Sequence, residues 1–145
     1  MQAMFALAEE EGIEILWFDF NPPIRGLYWA PKKFPPVIGL DNKLDTNTPL
    51  LRCIMAEELG HHFTLDRDCL CRTYFNYRDR LAISKAEYRA FRWAAIYLMP
   101  KARLVQAFHL GYVEAWRLAD RFNVTEDMVR FRLRLPDINN EKVIV

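Results

Sequence analysis

The chain has 145 residues, 52% hydrophobic, 14% aromatic and 27% charged, with 20 lysines and arginines against 19 aspartates and glutamates. A chain of this length suits a single domain, residues 1–145, that buries roughly 70% of its unfolded surface, so its core needs no disulfide support. The composition excludes a disordered tail, and the net charge of +1 lacks the electrostatic footprint of a dedicated nucleic-acid binder.

Met1–Ala8 is apolar, without a basic leader, and Glu9-Glu10-Glu11 follows at once. The sequence therefore predicts a short helix ended by Gly12 rather than a signal or transit peptide. Ile13–Phe18, Arg25–Ala30 and Pro36–Leu40 are rich in β-branched and aromatic residues and predict three short strands, separated by the turn at Asn21-Pro22-Pro23. Thr48-Pro49 predicts a helix start, with Thr48 as the cap and a helix to about Phe63. Thr64–Arg80 has no period and is expected to be a loop. Ser84 with Glu87 has the capping-box pattern and opens a helix to Met99. Leu104–Phe108, Tyr112–Phe122 and Glu126–Leu135 are further helical segments, although Val129–Leu135 alternates strictly and also suits a strand. Strands first and helices after predict an α+β domain. Three cysteines, Cys53, Cys69 and Cys71, and the lack of a long apolar run predict a cytoplasmic protein with no membrane partner.

Chemistry concentrates in Ala56-Glu57-Glu58-Leu59-Gly60-His61-His62. Residues four apart share a helix face, which pairs Glu57 with His61 and Glu58 with His62. Two carboxylates and two imidazoles beside Leu51, Ile54 and Met55 are costly to bury, and a divalent cation is the simplest compensation. A solvated helix face of Glu–His pairs is the alternative, and His62 alone reads as a packed, hydrogen-bonded histidine.

This segment resembles the His-Glu-x-x-His motif of zincin metallopeptidases, with Glu57 in the place of the first histidine. Together with Arg92-Trp93-Ala94, Leu98-Met99-Pro100 and Leu118-Ala119…Phe122-Asn123-Val124-Thr125, it is similar to the ImmA/IrrE metallopeptidase family. The resemblance implies a small zincin-like fold: a short N-terminal sheet, then a helical core bearing the metal motif. It implies His61 as a zinc ligand and Glu58 as the general base that takes a proton from metal-bound water. Glu57 would bind through a carboxylate oxygen. The family's third ligand, a glutamate eleven residues before the proline, falls on Arg89, which has no acceptor atom. Glu87 is the nearest substitute, in competition with its capping role.

A site of Glu57, His61 and Glu87 would leave Zn²⁺ nearly uncharged, acidify its water less, and admit Mn²⁺ as well. The implied function is metal-dependent cleavage of one partner, such as a phage or mobile-element transcriptional repressor. The alternative is a catalytically impaired module of the same fold that binds such a regulator without cutting it. Leu118–Thr125 also looks like half of a helix-turn-helix with Arg130, Arg132 and Arg134 on phosphates; the balanced charge argues against a nucleic-acid partner. Cys69-Leu70-Cys71 is expected to be a pair of reduced loop thiols, and His109 a structural residue.

Overall fold

The computed structural model describes residues 1–65, 69–74 and 84–138. A first helix, α1 (Gln2–Glu10), is followed by three strands, β1 (Glu14–Phe18), β2 (Ile24–Ala30) and β3 (Val37–Asp41). After a 3₁₀ turn (Asn42–Thr46) come α2 (Thr48–Thr64), β4 (Cys69–Tyr74), α3 (Lys85–Leu98), α4 (Lys101–His109), α5 (Ala115–Phe122) and α6 (Glu126–Arg132). The fold is the expected α+β domain, a small sheet followed by a helical core. No helix among the described residues is long and apolar enough to cross a membrane.

The sheet has four strands in the order β1-β3-β2-β4. β1 runs parallel to β3, while β2 is antiparallel to both β3 and β4. β4 corrects the sequence reading, which expected a loop over Thr64–Arg80. Its Cα register on β2 runs from Ala30↔Cys69 to Ile24↔Tyr74, partners 39 to 50 residues away, so its strand identity comes from distant pairing and leaves no local periodicity to read. Cys69 and Cys71 therefore stand on a strand. Alternation in β2 and β3 sends Tyr28, Ala30, Ile38 and Leu40 into the core.

Gly12 ends α1 as expected, with φ at 69° in the left-handed region open to glycine. The cap of α2 is Asn47, one residue earlier than predicted: its side chain accepts from the Leu50 amide at 3.2 Å, and Pro49 follows inside the first turn. From Leu50 to His61 only Arg52 escapes burial. A helix that is buried all round needs a neighbour on each side. The sheet supplies one: a side chain at Gly26 of β2 would run into Glu58 and Ile54. α3 supplies the other: a side chain at Gly60 would run into the Ala90 backbone. Glu58 and Gly60 point about 200° apart around an ideal helix, so these contacts lie on opposite sides of α2.

α3 opens as predicted, with the Ser84 hydroxyl accepting from the Glu87 amide at 3.2 Å. It buries Ala90, Phe91, Ala94, Ala95 and Leu98, one face at helical spacing. α6 is a helix and not the alternative strand. Thr125 caps it by accepting from Met128, and Glu126 and Asp127 occupy its positive end. Its Arg132 is fully buried. The guanidinium donates to the Met99 carbonyl at 2.9 Å and to both Asp137 oxygens at 2.8 and 2.9 Å, tying the C-terminal turn to the end of α3.

Hydrogen bonds from Arg132 hold the Asp137 carboxyl below its ordinary range. A depressed folded value means that this contribution is present above roughly pH 4 and is lost as pH falls through the depressed value. Asp137→Asn should lower stability at neutral pH by about 1 kcal/mol, because the pair is partly exposed, and should flatten the acid limb of the stability curve. Chemical denaturation at neutral and acidic pH measures both effects.

Candidate active site on the central helix

Glu57, Glu58 and His61 are all completely buried. The solvated-face alternative is therefore wrong for these three residues. Ideal helical spacing puts Glu57 and His61 on neighbouring azimuths, between the side of α2 that meets the sheet and the side that meets α3. They occupy the seam between the two layers.

Two residues that sequence reasoning missed complete this region. Tyr28 of β2 stacks on His61, with ring centroids 6.3 Å apart and an interplanar angle of 14°. It also meets the His62 ring edge-on at 5.9 Å. The Tyr28 hydroxyl shares a 3.0 Å hydrogen bond with His62 Nδ1, and His62 Nε2 lies 3.1 Å from the carboxylate of Glu11, just beyond the end of α1. His62 is thus the satisfied histidine expected, joining α1, β2 and α2. Inward alternation along β2 was a weak signal for Tyr28; nothing local pointed to Glu11.

The third ligand is expected at Glu87. Glu87 is half-buried in the first turn of α3. Among the described residues, no three His, Cys, Asp or Glu side chains are gathered so as to hold a metal ion. The reason is geometric. Positions 87 and 89 stand about 200° apart around α3, so a carboxylate at 87 cannot point where one at 89 would. Arg89 is exposed and carries no acceptor.

Cys53, one turn before Glu57, does not fill the gap. Burial, with the Glu57 charge adding, pushes its thiol up to about 11, so it is protonated at neutral pH and a poor ligand. A catalytic zinc needs three protein donors and an open position. Among the described residues, the three family positions carry Glu57, His61 and Arg89, and Arg89 has no acceptor atom, so these three alone do not meet that requirement.

Two of the three arginines of the helix-turn-helix reading are engaged by acids of this chain. Arg132 is the buried clamp described above, and Arg130 pairs with Glu126 at 2.7 Å and with Asp127 at 3.8 Å. Of the three arginines, Arg134 is left exposed. His109, expected to be structural, is exposed at the end of α4.

A buried Glu-Glu-x-x-His turn on a central helix, set between a small mixed sheet and a second helix, defines a metallopeptidase-like fold. The peptidase family model described as the IrrE N-terminal-like domain matches residues 8–134, and the chain belongs to that family. A search of curated proteins found no match.

Gly26 is the point where β2 meets the Glu58 carboxylate. Gly26→Ala should displace Glu58 or the strand and cost about 1–3 kcal/mol, the usual range for overpacking. Thermal unfolding compared with Gly12→Ala, whose new side chain would meet nothing within 4 Å and be strained only by its backbone, separates crowding from backbone effects.

Proposed function

We propose that this chain uses the metallopeptidase-like fold to bind a regulatory protein, such as a transcriptional repressor, without hydrolysing it. One observation carries the reading: two of the three positions that would ligate zinc are changed in kind. Glu57 stands at the first, and Arg89, exposed and without an acceptor atom, at the third. The remaining polar groups of the turn have packing roles, Glu58 against β2 at Gly26 and His61 under the Tyr28 ring. An exposed run on the edge strand β1, Leu16, Trp17 and Phe18, is suited to contact with an extended segment of that partner.

Cleavage of the partner with Zn²⁺ or Mn²⁺ is the second reading. It keeps one supporting observation, the retention of Glu58 and His61 on a single buried turn at the general-base and ligand positions of the family.

Elemental analysis of the native protein from zinc-replete culture should find well under one zinc or manganese per chain. Glu57→His combined with Arg89→Glu should raise zinc to about one per chain, since it rebuilds three donors. Mixed with the repressor encoded beside its own gene, the native chain should co-elute with an intact partner. Metal-dependent fragments that disappear in Glu58→Gln would establish cleavage and overturn the binding reading.

A further inference from the structure

α3 has a second face that the core does not use. Lys85, Arg89, Arg92 and Ile96 recur along one stripe of it at helical spacing. Arg89 and Arg92 line two adjoining cavities. One, of about 370 Å³, is completed by Thr64, Trp93, Ile96 and Tyr97; the other, of about 490 Å³, by Lys85 and Tyr88. Among the described residues, neither lining contains a carboxylate.

Lys85, Arg89 and Arg92 make no ion pair among the described residues, whereas Arg25, Arg117, Arg130 and Arg132 are each held by an acid. Like charges three and four residues apart on a helix repel by a few tenths of a kcal/mol per pair. The stripe therefore opposes the stability of its own helix until an anion reaches it.

The apolar wall is already ordered. Phe63 stacks on Trp93 at 4.9 Å and 18°, and Trp93 on Tyr97 at 5.0 Å and 10°. Trp93 thus already packs against two other rings, and the three together form an apolar wall beside the two arginines. Position favours polypeptide. Thr64, which lines the first cavity, follows Glu57 and His61 at i+7 and i+3 on the same stripe of α2. The groove thus lies at the C-terminal end of the seam that holds those residues.

We propose that this groove docks an acidic, extended segment of a protein partner. Arg89 and Arg92 bind its carboxylates, and the Phe63–Trp93–Tyr97 stack covers a neighbouring apolar side chain. The proposal rests on the partner-binding reading and deepens it: the residue that replaces a metal ligand becomes a cation of the binding surface.

The probe is a fluorescein-labelled peptide of alternating glutamate and leucine, titrated by anisotropy against the full chain. Arg89→Glu with Arg92→Glu should weaken binding at least about tenfold, as should a rise from roughly 0.05 to 0.3 M salt. A lysine–leucine peptide and an oligothymidine should bind at least about tenfold more weakly than the acidic peptide. Circular dichroism checks that the double variant is folded; if it is not, Arg92→Gln takes its place, with a smaller loss expected. Absence of acidic-peptide binding, or binding unchanged in a folded variant, overturns the groove. So does tighter, arginine-dependent binding of oligothymidine, which would make it a nucleic-acid site. Peptide fragments seen by mass spectrometry would overturn the non-cleaving reading and leave the groove standing, whereas loss of the groove leaves the repressor co-elution as a separate test.

Discussion

The close approach of β2 and α3 to opposite sides of α2 keeps Glu57, Glu58 and His61 inside the protein. Two glycines make it possible. Gly26 lets the strand reach the Glu58 carboxylate, and Gly60 lets the Ala90 backbone reach the helix. Removing carboxylates and an imidazole from water is among the costlier steps a fold of this size takes. The surrounding residues are correspondingly fixed: Tyr28 over His61, and His62 bound to both Tyr28 and Glu11. The turn is a junction of three elements as much as it is a motif.

That junction bears on the chemistry. A hydrolytic metal site pairs a fixed donor set with an open position for water and substrate. In this chain the motif turn is fully enclosed, and α3 faces α2 with Ala90. Arg89 lies about 100° around the helix from that contact. A carboxylate at position 89 would return a donor of the right kind to α3. A carboxylate at 87 belongs to the other flank, where it serves the first turn beside Ser84. The two changes differ in weight: Glu57 still offers a carboxylate oxygen, whereas Arg89 offers no acceptor, so position 89 is the one that leaves the set short of three donors.

Much of this was legible in the sequence, for identifiable reasons. The motif turn, the buried stripe of α3 and the capping by Ser84 are local patterns at helical spacing, and each appears where that spacing places it. The strands β1 to β3 announced themselves by composition. β4 did not, because its strand character comes from pairing with β2 and not from its own residues. The enclosure of Glu57 and Glu58 was also hidden. A helix face of acids and histidines reads equally as wet or dry until Gly26 and Gly60 are known to lie against its neighbours, and both are contacts between distant segments. Glu87 and position 89 are close in sequence but point nearly opposite ways around α3, a difference that adjacency in the sequence does not display.

The arginine at 89 then has two consequences from one orientation. The turn of α3 that sets Ala90 against Gly60 rolls position 89 toward solvent, next to Arg92 and one turn beyond Lys85. A glutamate there would sit among cations and partly neutralise them. An arginine instead extends the run, which has no acid among the described residues of the groove. The stacked rings of Phe63, Trp93 and Tyr97 give that charge a rigid apolar floor that needs little ordering when a ligand arrives, and low ordering cost is what lets a shallow groove bind at all. On this geometry one side chain, Arg89, both withholds an acceptor from α3 and supplies a cation to the groove.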